Sequence, residues 1–96
     1  MNRVELINLF DIYEFLLTSR EREIFKYYYY EDLSLSEIGE NLNISRTGVH
    51  NTLKKVEEKL KNYEENLCLY VIKNTLNTIL NEEDINKIKN QIKKLI

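Results

Sequence analysis

Leu33–Lys55, LSLSEIGENLNISRTGVHNTLKK, decides how this chain folds. Ser34 stands three residues before Glu37, the capping-box spacing at which a hydroxyl and a carboxylate each satisfy an orphan backbone N–H. Ile38 and Leu42 lie one helical turn apart, and Asn43 follows, a residue type that tolerates the left-handed conformation of a tight inter-helix turn. Ser45 is placed to cap a second helix whose first exposed residues are Arg46, Thr47, His50 and Asn51. A short helix, a tight turn and a second helix with a polar start form a helix-turn-helix, spanning about residues 34–60.

Outward from this motif the same signals recur. Leu6, Leu9, Phe10, Tyr13, Leu16 and Leu17 step by three and four, the period of a helix over residues 2–17. Thr18 with Glu21 forms another capping box, opening a helix that holds Ile24, Phe25 and the run Tyr27–Tyr30 before the turn-like Glu31-Asp32. Val49, Leu53, Val56, Leu60, Tyr63, Leu67 and Tyr70 alternate spacings of four and three, a heptad seam that predicts one continuous rod. That rod packs either within the chain or, in its second half, along a second copy. The seam then shifts to Val71, Ile72, Leu76, Ile79 and Leu80, so a bend is expected around residues 74–77. Asn81 is placed to cap a last helix, with Glu82, Glu83 and Asp84 at its positive end and Lys93 and Lys94 near its negative end.

The chain has 96 residues, no proline and two glycines. It is therefore expected to be a single all-α domain with a long helical C-terminal extension. No apolar run is long enough to span a bilayer, and acidic residues interrupt the N-terminal stretch that a signal peptide would need, so no membrane insertion is expected. The lone Cys68 cannot form an internal disulfide, which fits a reducing cytoplasm, and it is expected to sit at least half-buried beside the seam.

The formal charge of −2 hides an asymmetry. Residues 1–44 carry net −5, residues 45–63 net +3 and residues 64–96 zero. Positive charge thus gathers on the second helix of the motif, the local footprint of a phosphate-binding element. At 100° per residue, Val49, Leu53, Val56 and Leu60 fall within an arc of about 60°, and Arg46, Thr47, His50, Asn51 and Lys54 spread over about 140° on the other side. Ser45, Arg46, Thr47, His50, Asn51, Lys54 and Lys55 are the candidate DNA-binding residues. Arg suits guanine and Asn suits adenine in the major groove, while Lys54, Lys55 and Lys59 are placed to reach phosphates. About three to five phosphate contacts are expected. The plainer reading is that any exposed helix start is polar.

Other candidate chemistry falls away. Four consecutive tyrosines face all round a helix, so at least two belong to the core rather than to a base-stacking platform. His50 and Cys68 are too few to hold a metal, and no nucleophile–base pair, carboxylate constellation or glycine-rich phosphate loop can be assembled. No cofactor and no catalysis are expected.

The segment from Leu17-Thr18-Ser19-Arg20-Glu21-Arg22-Glu23-Ile24 through SEIGENLNISRTGVHNTLKKVEEKL resembles the fourth region of bacterial sigma factors. More closely, the span from NLFDIYEFLLT through YYYYEDLSLSEIGENL to NYEENLCLY resembles the YlxM family, small helical proteins whose genes commonly lie beside those of the signal recognition particle GTPases. The likeness covers roughly residues 6–72. That family usually carries Ser-Arg-Gln-Ala-Val-Tyr-Asp at the recognition helix. Ser45, Arg46 and Val49 match it, whereas Thr47, Gly48, His50 and Asn51 depart, and Asn51 in place of an acid favours phosphate. The resemblance implies a DNA-binding regulator linked to the signal recognition particle pathway. The competing expectations are an RNA-binding surface, or a protein adaptor for that particle's components that uses the acidic first half and the apolar seam. A homodimer through the seam is compatible with each.

Overall fold

The computed structural model describes all 96 residues as six α-helices joined by short turns. They are α1 (Arg3–Tyr13), α2 (Ser19–Tyr29), α3 (Leu35–Leu42), α4 (Arg46–Leu67), α5 (Leu69–Leu80) and α6 (Ile85–Leu95), with one 3-10 turn at Glu14–Leu16. Each of the first three helices opens on a reciprocal capping box, Asn2 with Glu5, Thr18 with Glu21 and Ser34 with Glu37. The second and third are the boxes visible in the sequence, and the first adds one.

Two apolar clusters hold the helices together. Leu6, Leu9, Phe10 and Tyr13 of α1 meet Leu17, Phe25 of α2, and Val56 and Leu60 of α4. At their centre the rings of Phe10 and Phe25 stack at 4.1 Å, only 8° from parallel. Burying an apolar side chain of this kind contributes about 1.5–3 kcal/mol. The second cluster joins Ile24 of α2, Ile38 of α3 and Val49 of α4, all fully buried. Long helix α4 takes part in both, and so fixes the helix-turn-helix against the α1–α2 pair.

None of the four consecutive tyrosines is fully buried. Tyr27 and Tyr28 flank the second cluster, Tyr29 flanks the first, and Tyr30 is exposed. Their rings cover the seams between helices and keep their hydroxyls near water, which a fully interior tyrosine would have to satisfy otherwise. They are boundary residues, where two core members were expected.

The expected continuous rod is broken earlier than residues 74–77. Helix α4 ends at Leu67, and Cys68 adopts a left-handed conformation with φ 55° and ψ 27° before α5 begins. Here Cys68 is exposed, not half-buried. Tyr13 accounts for the break: its hydroxyl donates to Glu64 Oε1 at 2.6 Å and accepts the Leu69 N–H at 3.0 Å. Glu64 also accepts the N–H groups of Tyr70 and Val71, so a carboxylate of α4 satisfies the orphan donors at the start of α5. Burial, joined by the Glu64 carboxylate, raises the Tyr13 phenol to about 12. With the helix turned at Cys68, Tyr63 and Tyr70 pack against the α1 cluster, which uses the second half of the seam within the chain. Leu67 is left exposed.

At the far end Asn81 closes α5, and the last helix is capped by Asp84, which accepts from Asn86 and Lys87. Asn81 itself donates back to the Asn77 carbonyl. The hairpin α5–α6 contains no buried residue, and it stretches the molecule to 56 Å against 23 and 20 Å across. No helix is long and apolar enough to cross a membrane.

Candidate nucleic-acid interface

The helix-turn-helix is built as the capping signals predicted. Ser34 Oγ accepts the Glu37 N–H and Glu37 Oε1 accepts the Ser34 N–H, both at 3.1 Å. Asn43 is left-handed at φ 56°, ψ 46°, and Ser45 Oγ accepts the Gly48 N–H at 2.9 Å. Gly48 is therefore held inside the first turn of α4, its N–H fully engaged.

One residue that sequence reasoning passed over sets the spacing of the two helices. Gly39 is buried in α3, and a Cβ on it would lie 2.7 Å from the backbone oxygen of Ile44. No side chain fits there, so glycine lets the turn fold back on α3, and the Ile44 N–H bonds to the Gly39 carbonyl at 2.9 Å. A glycine in the middle of an otherwise good helix was the available signal.

Ser45, Arg46, Thr47, His50, Asn51, Lys54 and Lys55 are all exposed. Val49, Val56 and Leu60 of the same helix are fully buried, with Leu53 half-buried between them. The helix start thus divides into an anchored face and a polar, partly basic one. Arg46, Lys54 and Lys55 form no ion pair within the chain. An open groove of about 300 Å³ runs beside this face, lined by Tyr28, Tyr29, His50, Lys54 and Glu57 among others.

Lys59, expected to reach phosphates, instead turns inward. Its Nζ lies 2.8 Å and 3.0 Å from the two carboxylate oxygens of Glu21, the one buried charged side chain. Burial by itself would raise the Glu21 carboxyl, but the hydrogen bonds from Lys59 and from the Thr18 N–H outweigh it and hold the group below its ordinary value. A capping carboxylate thereby doubles as the tie between α2 and α4. The basic surface loses one of its expected cations and keeps Arg46, Lys54, Lys55 and Lys61.

No group of three or more histidine, cysteine, aspartate or glutamate side chains stands in metal-ligand geometry. What the arrangement offers is a helix held rigidly at its apolar stripe, with donors and cations displayed along its opposite side. That defines an all-α helix-turn-helix protein.

The chain belongs to the UPF0122 family, described as "Putative helix-turn-helix protein, YlxM / p13 like", whose profile matches residues 1–96. Among similar proteins, a UPF0122 protein of Desulforamulus reducens is 48% identical over 68 residues, 71% of this chain and 56% of the relative. A UPF0122 protein of Caldanaerobacter subterraneus is 54% identical over 61 residues, 64% of this chain and 52% of the relative. The chain thus spans about half the length of these two relatives. A UPF0122 protein of Ureaplasma parvum is 40% identical over 85 residues, covering 85% of this chain and 86% of the relative. The YlxM resemblance read from the sequence is the family found.

Proposed function

We propose that this protein is a non-catalytic, DNA-binding regulator that lays the start of α4 in the major groove of duplex DNA. The observation that carries the reading is the division of α4 into a buried seam and an exposed face bearing Arg46, Thr47, His50, Asn51, Lys54 and Lys55. In this reading Arg46 and Asn51 meet base edges, Thr47 meets a thymine methyl or a phosphate, and the Ser45 end with Lys54 and Lys55 meets the backbone. A reducing cytoplasm fits the exposed, unpaired Cys68.

With Lys59 committed to Glu21, three or four cations remain to neutralise phosphates, which gives a log–log salt slope of roughly −2.7 to −3.6 per protomer. Titration of a labelled duplex at several salt concentrations tests this. Arg46→Glu/Lys54→Glu should abolish binding without changing the helical signal, because both side chains are exposed. Absence of saturable binding at low salt would sink the proposal.

A second reading, an RNA or protein adaptor for the signal recognition particle machinery, draws on the net −5 of residues 1–44 and on the uncovered α5–α6 hairpin. The same charge reversal separates the two. A partner held elsewhere survives it, and competition of structured RNA against duplex DNA distinguishes the nucleic acids.

A further inference from the structure

We infer that α5 and α6 form a docking surface for a second copy of this chain, two hairpins associating antiparallel about a two-fold axis into a four-helix bundle. This does not depend on what the α4 face binds. It also moves the self-association surface away from the heptad seam, whose Tyr63 on α4 and Tyr70 at the start of α5 are packed against the α1 cluster.

The hairpin is unfinished by itself. Helix α6 rests on α5 and buries none of its residues fully, and the shielded Oε1 of Gln91 has no hydrogen-bond partner. Leu76 is 49% exposed, Leu80 82%, Ile85 67% and Ile92 42%. Leu69 and Ile72 extend this uncovered apolar stripe along α5. A helical hairpin with an open apolar stripe has too little burial to hold its own fold, and a bundle of four such helices supplies it.

Two further observations select a second copy as the occupant. First, the stripes are matched: Leu69, Ile72 and Leu76 on α5 recur with identical spacing as Ile85, Ile88 and Ile92 on α6. Two helices of 12 and 11 residues with the same phase can therefore interdigitate across a two-fold axis, α5 against α6 of the partner. Second, the hairpin is polarised. Glu82, Glu83 and Asp84 sit at its closed end, while Lys93 and Lys94 sit about 15 Å away at the open end. Antiparallel pairing sets the acidic turn of each copy beside the lysines of the other. The same acidic turn would be repelled by an anionic lipid surface, although four lysines on α6 would be drawn to it.

Sedimentation velocity of the full chain, from low to high micromolar concentration and without nucleic acid, tests the inference. The expected result is a reversible shift to twice the 11.6 kDa protomer mass. Hydrogen exchange at the same concentrations should show residues 69–95 gaining at least tenfold protection as the dimer forms, with α1–α4 unchanged. Leu76→Glu/Ile92→Glu should remain monomeric at every concentration while keeping the α1–α4 protection pattern. A chain that stays monomeric throughout overturns the inference. So does a dimer whose added protection lies outside residues 69–95, or a monomer that co-sediments with anionic phospholipid vesicles through this hairpin. Because no DNA is present, these results leave the reading of α4 to its own titration.

Discussion

Gly39 shows how one missing atom shapes the motif. A β-carbon there would sit 2.7 Å from the Ile44 carbonyl oxygen, a backbone atom that cannot swing aside as a flexible side chain would. Gly39→Ala must separate α3 from the start of α4 or distort the turn at Asn43. A cost of about 1–3 kcal/mol follows, the ordinary range for overpacking, despite the better helix propensity of alanine. Thermal melting by circular dichroism should show a midpoint lowered by at least several degrees. An unchanged or raised midpoint would mean that the two helices are not held at this distance. Asn43 and Cys68 are the complementary cases, since both stand left-handed at helix ends. Asparagine advertises that conformation in the sequence. Cysteine does not, and Cys68 adopts it because Tyr13 and Glu64 hold the first N–H groups of α5 from outside that helix.

Among the elements, the caps were legible because they are local: Ser34 with Glu37, Thr18 with Glu21, and Ser45 each lie within three residues of what they bond. The partner of Glu21 was not legible, because Lys59 is 38 residues away and only the packing of α2 on α4 brings it near. This tie has a pH signature. The Glu21 carboxyl is held below its ordinary value of 4.5 in the folded protein, so the unfolded chain takes up its proton first on acidification. The stabilisation is complete above about 4.5 and is lost as pH falls through the folded value. Glu21→Gln should lower stability at neutral pH by about 1–2 kcal/mol and flatten the acid limb of the stability profile. Chemical denaturation across pH 3–7 reads both effects, and parallel acid limbs for the two proteins would show that Glu21 is not a linked group. The polar face of α4 was equally legible as a face, since rotation at 100° per residue is enough to separate it from the seam. Its charge was not, because Lys59 turned inward to Glu21.

For the molecule as a whole, burial is uneven. Every fully buried side chain lies between Leu6 and Leu60, and the radius of gyration of 17.3 Å exceeds the roughly 13 Å of a compact chain this size. Local opening follows the distribution of buried contacts, so α5–α6 should open first. Limited trypsin digestion at low protein concentration should cut at Lys73, Lys87 or Lys89 before any site between Arg20 and Lys61, with mass spectrometry identifying the fragments. First cuts inside the α1–α4 unit would contradict this order. Capping and helical period depend on residues a turn apart, so the all-α class, the position of the helix-turn-helix and the polar face of α4 could be read from local spacing alone. That the rod ends at Cys68, that Lys59 is tied to Glu21, and that α5–α6 stands uncovered became visible only in the packed molecule. Each of those outcomes depends on groups distant in sequence meeting, or failing to meet, across a packed interface, and no local spacing encodes that encounter.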